Sequence, residues 1–222
     1  MHVFWAILWK DVRQEWRRRE LVIVMAVFSL VVFVMFSFAL GIRPDRPAEV
    51  AAAVTWIAIT FAGTLGLNRS LALERDDQCL RALLLSPADR SWIFLAKTAG
   101  NLLFLLAVEL LVVPLALVFF NLDAPLHPFW LGLTCFLGSL GFVSVGTLLA
   151  GMATSTRMRD WLLPLLLFPI EVPVLISAVR ATALLLAMRP VGEVSLWLEL
   201  LAAFDLVFLA VSIVAFEHVV EE

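Results

Sequence analysis

The carboxylic acids Glu109, Glu171 and Asp205 lie deep inside long apolar stretches of this chain. An ionised carboxylate near the middle of a lipid bilayer costs about 3 kcal/mol on insertion scales, so these groups are expected to face the protein interior or to carry a proton. Glu171 stands between Pro169 and Pro173, whose rings leave backbone carbonyls without their usual N–H partners. We treat these five residues as intramembrane functional candidates. For Glu171 one alternative stays open, a neutral carboxyl that bonds a freed carbonyl.

Motifs for other chemistry are not found in the sequence. The two cysteines and three histidines are scattered and form no CxxC or zinc-ligand spacing. A phosphate-cradling loop ends in Gly-Lys, but neither Lys10 nor Lys97 follows a glycine. No basic stretch with interleaved aromatic residues indicates nucleic-acid binding. We therefore expect no metal site, no nucleic-acid partner and no ATPase activity of the chain's own.

The composition is that of a membrane protein. Hydrophobic residues make up 63% of the chain and charged residues 16%, whereas soluble domains have about half and about a quarter. A spanning helix needs about 20 apolar residues. Six such runs, with short connections, predict an all-α integral membrane protein with a single transmembrane domain over 1–222; they lie at about 21–40, 50–72, 92–120, 129–153, 161–188 and 196–216.

Lysine and arginine are unevenly distributed between the two ends of these spans. Twelve of the 16 lie before the first span, between or at the facing ends of the second and third, or between the fourth and fifth. Because cytoplasmic loops carry the excess of basic residues, this distribution predicts that both termini are cytoplasmic.

The N-terminal segment, about residues 2–19, does not span. Trp5 and Trp9 recur at helical spacing, and the basic residues Lys10 and Arg13 lie in the same segment, which is typical of a helix that lies in the membrane interface. Two interpretations stay open: a simple anchor, or a helix that packs against the bundle.

The longest predicted cytoplasmic connection, about residues 73–91, combines a charge cluster with an apolar helical face. Ser86 and Pro87 are expected to end the short helix within it. A short helix of this kind suits docking into a groove on another protein, although a solvated connector is the alternative. The residues assigned to docking are Glu74, Arg75, Asp76, Leu80, Leu83, Leu84, Ser86, Pro87 and Arg90.

This segment resembles the one that follows the second span in type-2 ABC permeases. In that family it forms a short cytoplasmic coupling helix seated on the ATPase subunit. The resemblance implies that residues 73–91 couple the chain to a partner ABC ATPase, and that the permease works with a second copy of itself as a homodimer.

Three features narrow the resemblance to the haem exporter permease B family of bacterial cytochrome c maturation. They are the proline-rich part of the fifth span (162–176), the six-span plan and the chain length. It covers the whole chain and implies a permease in the bacterial cytoplasmic (inner) membrane. The implied partners are an ABC ATPase, a second permease copy, the haem-handling membrane proteins and the haem chaperone of that pathway. The implied function is to couple ATP hydrolysis to haem export or to release of the haem-loaded chaperone. Haem is then a handled ligand rather than a stably bound cofactor, and His127 is the residue considered for haem ligation.

Three other functions remain open at this point. A type-2 exporter of a lipid, polysaccharide or drug would share the coupling segment. An intramembrane enzyme would use Glu109, Glu171 and Asp205 as acid–base groups and would need no ATPase. A passive assembly scaffold would tolerate substitutions in residues 73–91.

Overall fold

The computed structural model describes residues 2–18, 20–40, 46–76, 90–123, 125–152 and 159–219. All regular secondary structure in these ranges is α-helical, which confirms the predicted all-α class. The helices are α1 (His2–Arg18), α2 (Glu20–Leu40), α3 (Pro47–Asp76), α4 (Arg90–Phe119), α5 (Pro128–Met152), α6 (Arg159–Leu186) and α7 (Val191–Val219).

Six of the described helices, α2 to α7, are long and apolar enough to cross a membrane. The predicted spans fall within one or two residues of α2, α4, α5 and α6. The other two helices extend further than predicted: α3 continues to Asp76 and α7 begins at Val191. Helical backbone hydrogen bonding does not stop where the apolar run stops, so a hydropathy boundary underestimates the length of a helix.

Two turns between helices are closed by residues with a positive φ, Asn121 (51°) and Met188 (57°). After each, the chain forms the 6→1 backbone bond of a Schellman motif: Leu122 N–H donates to Leu117 O at 2.9 Å, and Arg189 N–H donates to Leu184 O at 3.0 Å. These bonds satisfy carbonyls at the helix ends, so α4 and α6 end sharply and the next helix returns beside them.

Helices α3 and α5 form the centre of the bundle. Their spanning windows are 72% and 67% buried, compared with 17% for α2 and 22% for α7. Helix α3 packs against α2, α4, α5 and α6, and α5 packs against α3, α4, α6 and α7. The outer faces of α2 and α7 are rich in exposed apolar side chains, as expected for a surface in contact with lipid or another apolar partner.

Glycines of α5 receive large side chains of α3. The indole ring of Trp56 lies over Gly138, and the side chain of Leu67 lies over Gly146. Trp56 precedes Leu67 in α3, and the glycines that they contact, Gly138 and Gly146, follow the same order in α5, so the two helices are parallel. Small residues permit this close approach between membrane helices, and the structure therefore supports packing as the use of these glycines.

The amphipathic helix α1 packs against α4. Ile7, Ile93 and Ala96 form a small buried cluster with Phe4 beside it, while Trp5 is well exposed. Of the two interpretations left open for this segment, the structure supports the helix that packs against the bundle.

Helix α6 includes all three of its prolines without interruption. Pro169 and Pro173 are exposed, whereas Glu171 between them is fully buried. Residues four apart share one face of a helix and the residue midway lies on the opposite face. The prolines are therefore on the outside of the bundle and the carboxyl group is inside.

Candidate functional site

Two of the three intramembrane carboxyl groups contact the middle of α5, and they come from different helices. Glu109 of α4 accepts a hydrogen bond from Ser139 Oγ. Asp205 of α7 lies against Gly141, where a Cβ would be 2.6 Å from Asp205 Oδ1. Ser139 and Gly141 are near the midpoint of the 25-residue helix, so both acids are at the same depth. Their contacts lie on different sides of α5, because residues two apart point in roughly opposite directions.

Glu109 belongs to a small polar cluster between α4 and α5. Its side chain is buried, and while Oε1 accepts from Ser139, Oε2 has no hydrogen-bond partner among the described residues. Cys135, one helical turn before Ser139, is a buried thiol close enough to interact electrostatically with Glu109. The cluster supplies one donor to a carboxyl group that could accept several, which is too little to stabilise a full negative charge in an apolar interior.

Glu171 and Asp205 form a second carboxyl group cluster, between α6 and α7. Both side chains are buried, and none of their four carboxyl oxygens has a hydrogen-bond partner in the part of the chain that the structure describes. Val174, on the same face of α6 as Glu171, lies with Asp205 against Gly141, so the two acids belong to the same contact between α6 and α7, where their charges interact. Beside Asp205, the space next to Gly141 is bounded by the apolar side chains of Phe204 and Val174. The structure thus brings together two of the acids singled out from the sequence and separates them from the third by α5.

An ion pair that the sequence analysis did not identify joins α1 to α4. Lys97 Nζ lies 2.6 Å from Asp11 Oδ2, and the two side chains are only 10% and 15% exposed. Lys10 approaches the other oxygen of Asp11 at 3.2 Å. The signal was present in the sequence, because Lys97 stands inside the third apolar run, and a buried ammonium group requires a carboxylate partner.

A hydrogen bond between distant helices was also missed. Trp56 Nε1 donates to Thr182 Oγ1 at 2.9 Å, and both residues are buried. It joins the central helix α3 to α6. A tryptophan in the middle of a span usually finds an acceptor for its indole N–H, so the sequence signalled a partner without identifying it.

The predicted coupling segment lies mostly outside the described residues. Helix α3 reaches Asp76, so the backbone of Glu74 and Arg75 is helical and continuous with the central helix of the bundle, but their side chains are outside the described part. Arg90 is the first residue of α4. The docking residues between 77 and 89 stay a prediction: Leu80, Leu83, Leu84, Ser86 and Pro87.

His127 lies in the turn that precedes α5. Its backbone carbonyl accepts the N–H of Leu131 at 3.2 Å, and its side chain is partly exposed. Within the part of the chain that the structure describes, no group of three or more His, Cys, Asp or Glu side chains is arranged to hold a metal ion. Haem ligation by His127 stays a prediction.

These features define a polytopic, all-α membrane protein with paired carboxyl groups in its interior. The sequence model of the family described as CcmB protein matches residues 2–222, so the chain belongs to the CcmB family. It is 27% identical over 214 residues to heme exporter protein B of Pseudomonas aeruginosa, which covers 96% of each chain. It is 29% identical over 149 residues to heme exporter protein B of Rhodobacter capsulatus, which covers 67% of this chain and 68% of the relative. These matches confirm the family that the fifth span and the six-span plan indicated.

Proposed function

We propose that this chain is the transmembrane permease subunit of an ATP-driven haem exporter complex in the bacterial inner membrane, with both termini in the cytoplasm. The observation that carries the proposal is the match to the CcmB family from residue 2 to residue 222. Its relatives bear the name heme exporter protein B, and six helices are suited to span a membrane.

The energy source in this proposal is a separate ABC ATPase. The sequence has no Gly-Lys phosphate loop. The ATPase would dock on the segment between α3 and α4, about residues 73–91. A displacement there would enter the bundle through α3, which is the central helix and contacts four others. It would pass to α6 through the hydrogen bond from Trp56 to Thr182.

The displacement would also reach the amphipathic helix α1. Because Lys97 of α4 is paired with Asp11, a movement of α4 would also move the amphipathic helix along the membrane surface. We propose that two permease copies and the ATPase act together, and that the outcome is either haem export or release of the haem-loaded chaperone. The haem-handling membrane proteins of cytochrome c maturation are the proposed neighbours.

The packing of α3 on α5 favours a path outside the centre of a single bundle. The ring of Trp56 fills the notch at Gly138 and Leu67 fills the notch at Gly146, so side chains occupy the interface between the two central helices. Export between two copies, or release of a chaperone at the outer face, requires no opening there. An exporter of another substrate is the second candidate, since it would use the same docking segment.

The decisive experiment is co-purification in mild detergent with a candidate ABC ATPase from the same organism, using wild type and a Glu74→Ala/Arg75→Ala double variant. We expect a stable, ATP-hydrolysing complex from wild type and loss of the complex, or of its stimulated hydrolysis, from the variant. The matched control is Arg46→Ala/Glu49→Ala, which removes an exposed pair of opposite charges at the other end of α3. Wild type that purifies without any ATPase, or three indistinguishable proteins, would refute the docking proposal.

Haem is tested separately in cells that lack the gene. Restoration of covalent haem staining of c-type cytochromes by wild type, and its loss with the Glu74→Ala/Arg75→Ala variant, supports the haem pathway. ATP-dependent haem uptake into inside-out vesicles distinguishes export from chaperone release. Normal cytochrome maturation without the gene would favour an exporter of another substrate.

A further inference from the structure

Glu171 and Asp205 present the bundle with an electrostatic problem that its own residues do not solve. Glu171 is completely buried and Asp205 is 5% exposed. None of the four oxygens of these two acidic groups has a hydrogen-bond partner among the described residues. Two negative charges in such a place would repel each other and would each lose their hydration. Some positive charge must therefore be held at the pair.

No side chain that the structure describes on the neighbouring helices supplies that charge. Helix α5, which packs against both α6 and α7, contains no charged residue in its sequence. Lys97 of α4 is paired with Asp11, and Arg180 of α6 is exposed nine residues beyond Glu171. Arg159 and Asp160 begin α6, more than ten residues before Glu171. The other described titratable groups on the packed helices are Glu109 and Cys135 across α5, Arg90 at the start of α4, and the exposed Glu49, Glu193 and Glu199.

We propose that Glu171 and Asp205 form a proton-binding site inside the bundle, in which the pair holds at least one proton at neutral pH. A proton on either carboxyl removes one of the two negative charges and supplies the site with an O–H donor. The site is distinct from the coupling segment, and the proposal does not depend on which substrate the protein exports.

A proton fits this site better than a metal cation does. Ca²⁺ takes six to eight oxygen ligands and Mg²⁺ takes six, whereas the pair has at most four carboxyl oxygens, next to the apolar side chains of Phe204 and Val174. Two acids that share a proton titrate as a unit, so each should change the titration of the other. Gly141 makes the arrangement possible, because a methyl group there would meet Asp205 Oδ1 at 2.6 Å.

The test is infrared spectroscopy of the full-length protein in lipid nanodiscs across a pH series. A protonated carboxyl has a C=O stretching band that an ionised carboxylate lacks. At neutral pH exposed acids are ionised, so we expect wild type to retain a carboxyl band. Glu171→Gln and Asp205→Asn should each reduce it, and each should shift the pH at which the remaining acid loses its proton. Glu199→Gln, which changes an exposed acid on α7, should leave the band unchanged.

Glu109→Gln separates the third buried acid. This variant should reduce the carboxyl band by the contribution of Glu109. It should not change the pH at which Glu171 and Asp205 titrate, because α5 lies between Glu109 and that pair. Three results would overturn the proposal: no carboxyl band in wild type at neutral pH, a band that only Glu109→Gln removes, or a band that NaCl removes at constant pH. The last result would assign the pair to a metal cation.

Stability provides a second readout that a purely structural pair would not move. Raising the pH removes the shared proton and places two charges in the apolar interior, so the Tm of wild type should fall by several degrees at alkaline pH. Glu171→Gln/Asp205→Asn should flatten this dependence, since it removes both ionisable groups and nearly preserves their shape. If the double variant and wild type lose stability in parallel as the pH rises, the pair does not hold the proton.

Discussion

The ammonium group of Lys97 lies 2.6 Å from Oδ2 of Asp11, and this contact joins the amphipathic helix α1 to the spanning helix α4. Both side chains are nearly buried, so the two charges depend on each other rather than on water. Removing one partner of a buried pair is costly because the other charge remains in an apolar place.

We expect Asp11→Asn to lower the free energy of unfolding by up to about 3 kcal/mol. Hydrogen–deuterium exchange should rise in α1 and at the start of α4, while the exchange of α3 stays as in wild type. The control is Lys10→Met, because Lys10 contacts the same carboxylate but is 39% exposed. Equal effects of the two substitutions would show that the pair with Lys97 has no special role.

The hydrogen bond from Trp56 to Thr182 gives a second prediction. Thr182→Val keeps the shape of the side chain and removes the acceptor, so the buried indole N–H loses its partner at a cost of about 1–3 kcal/mol. Thr182→Ser retains the hydroxyl and should lose less. The measurement is unfolding of the purified protein in mixed detergent micelles. A valine variant as stable as the serine variant would contradict the role of the bond.

The six spans and the buried acids could be predicted from the sequence because the membrane imposes a local requirement. Each span must by itself provide a run of apolar residues long enough to cross, and an acid inside such a run must face inward or be protonated. The partners of Trp56 and Lys97 could not be predicted in this way. They lie 126 and 86 residues away, and helical periodicity gives the face of a helix without identifying the helix that packs there.

Glu171 shows both what could be predicted from the sequence and what could not. The sequence placed two prolines and an acid in one turn, and helical geometry alone puts the acid on the face opposite the prolines. That Asp205 is the residue it meets depends on the packing of α7 against α6 and on the small residue Gly141 of α5. Such packing depends on the volumes of side chains from three helices and leaves no local pattern in the sequence.

Ser139 gives a third prediction, since its hydroxyl group donates a hydrogen bond to the carboxyl group of Glu109. Ser139→Ala leaves a buried carboxyl with no hydrogen bond and should cost about 1–3 kcal/mol of unfolding free energy. Glu109→Gln/Ser139→Ala should recover part of this loss, because a neutral amide is less costly to bury than an acid. The control Ser195→Ala removes an exposed serine hydroxyl near the start of α7 and should change stability by no more than a few tenths of a kcal/mol. An equal loss at both serines would mean that Glu109 does not depend on Ser139.

The fourth prediction compares two glycines of the same helix. A methyl group at Gly138 would collide with the ring of Trp56, whereas Gly132, one and a half turns earlier, has open space at the same position. Gly138→Ala should force the indole ring away from Thr182 and destabilise the protein by about 1–3 kcal/mol, the usual cost of overpacking. Gly132→Ala should instead stabilise it by up to about 1 kcal/mol, since alanine is the better helix former. Opposite signs in the same unfolding assay would show that α5 has glycine at 138 to admit Trp56. Destabilisation of similar size at both positions would mean that α5 needs flexibility rather than room, and the close packing of α3 against α5 would then not explain these glycines.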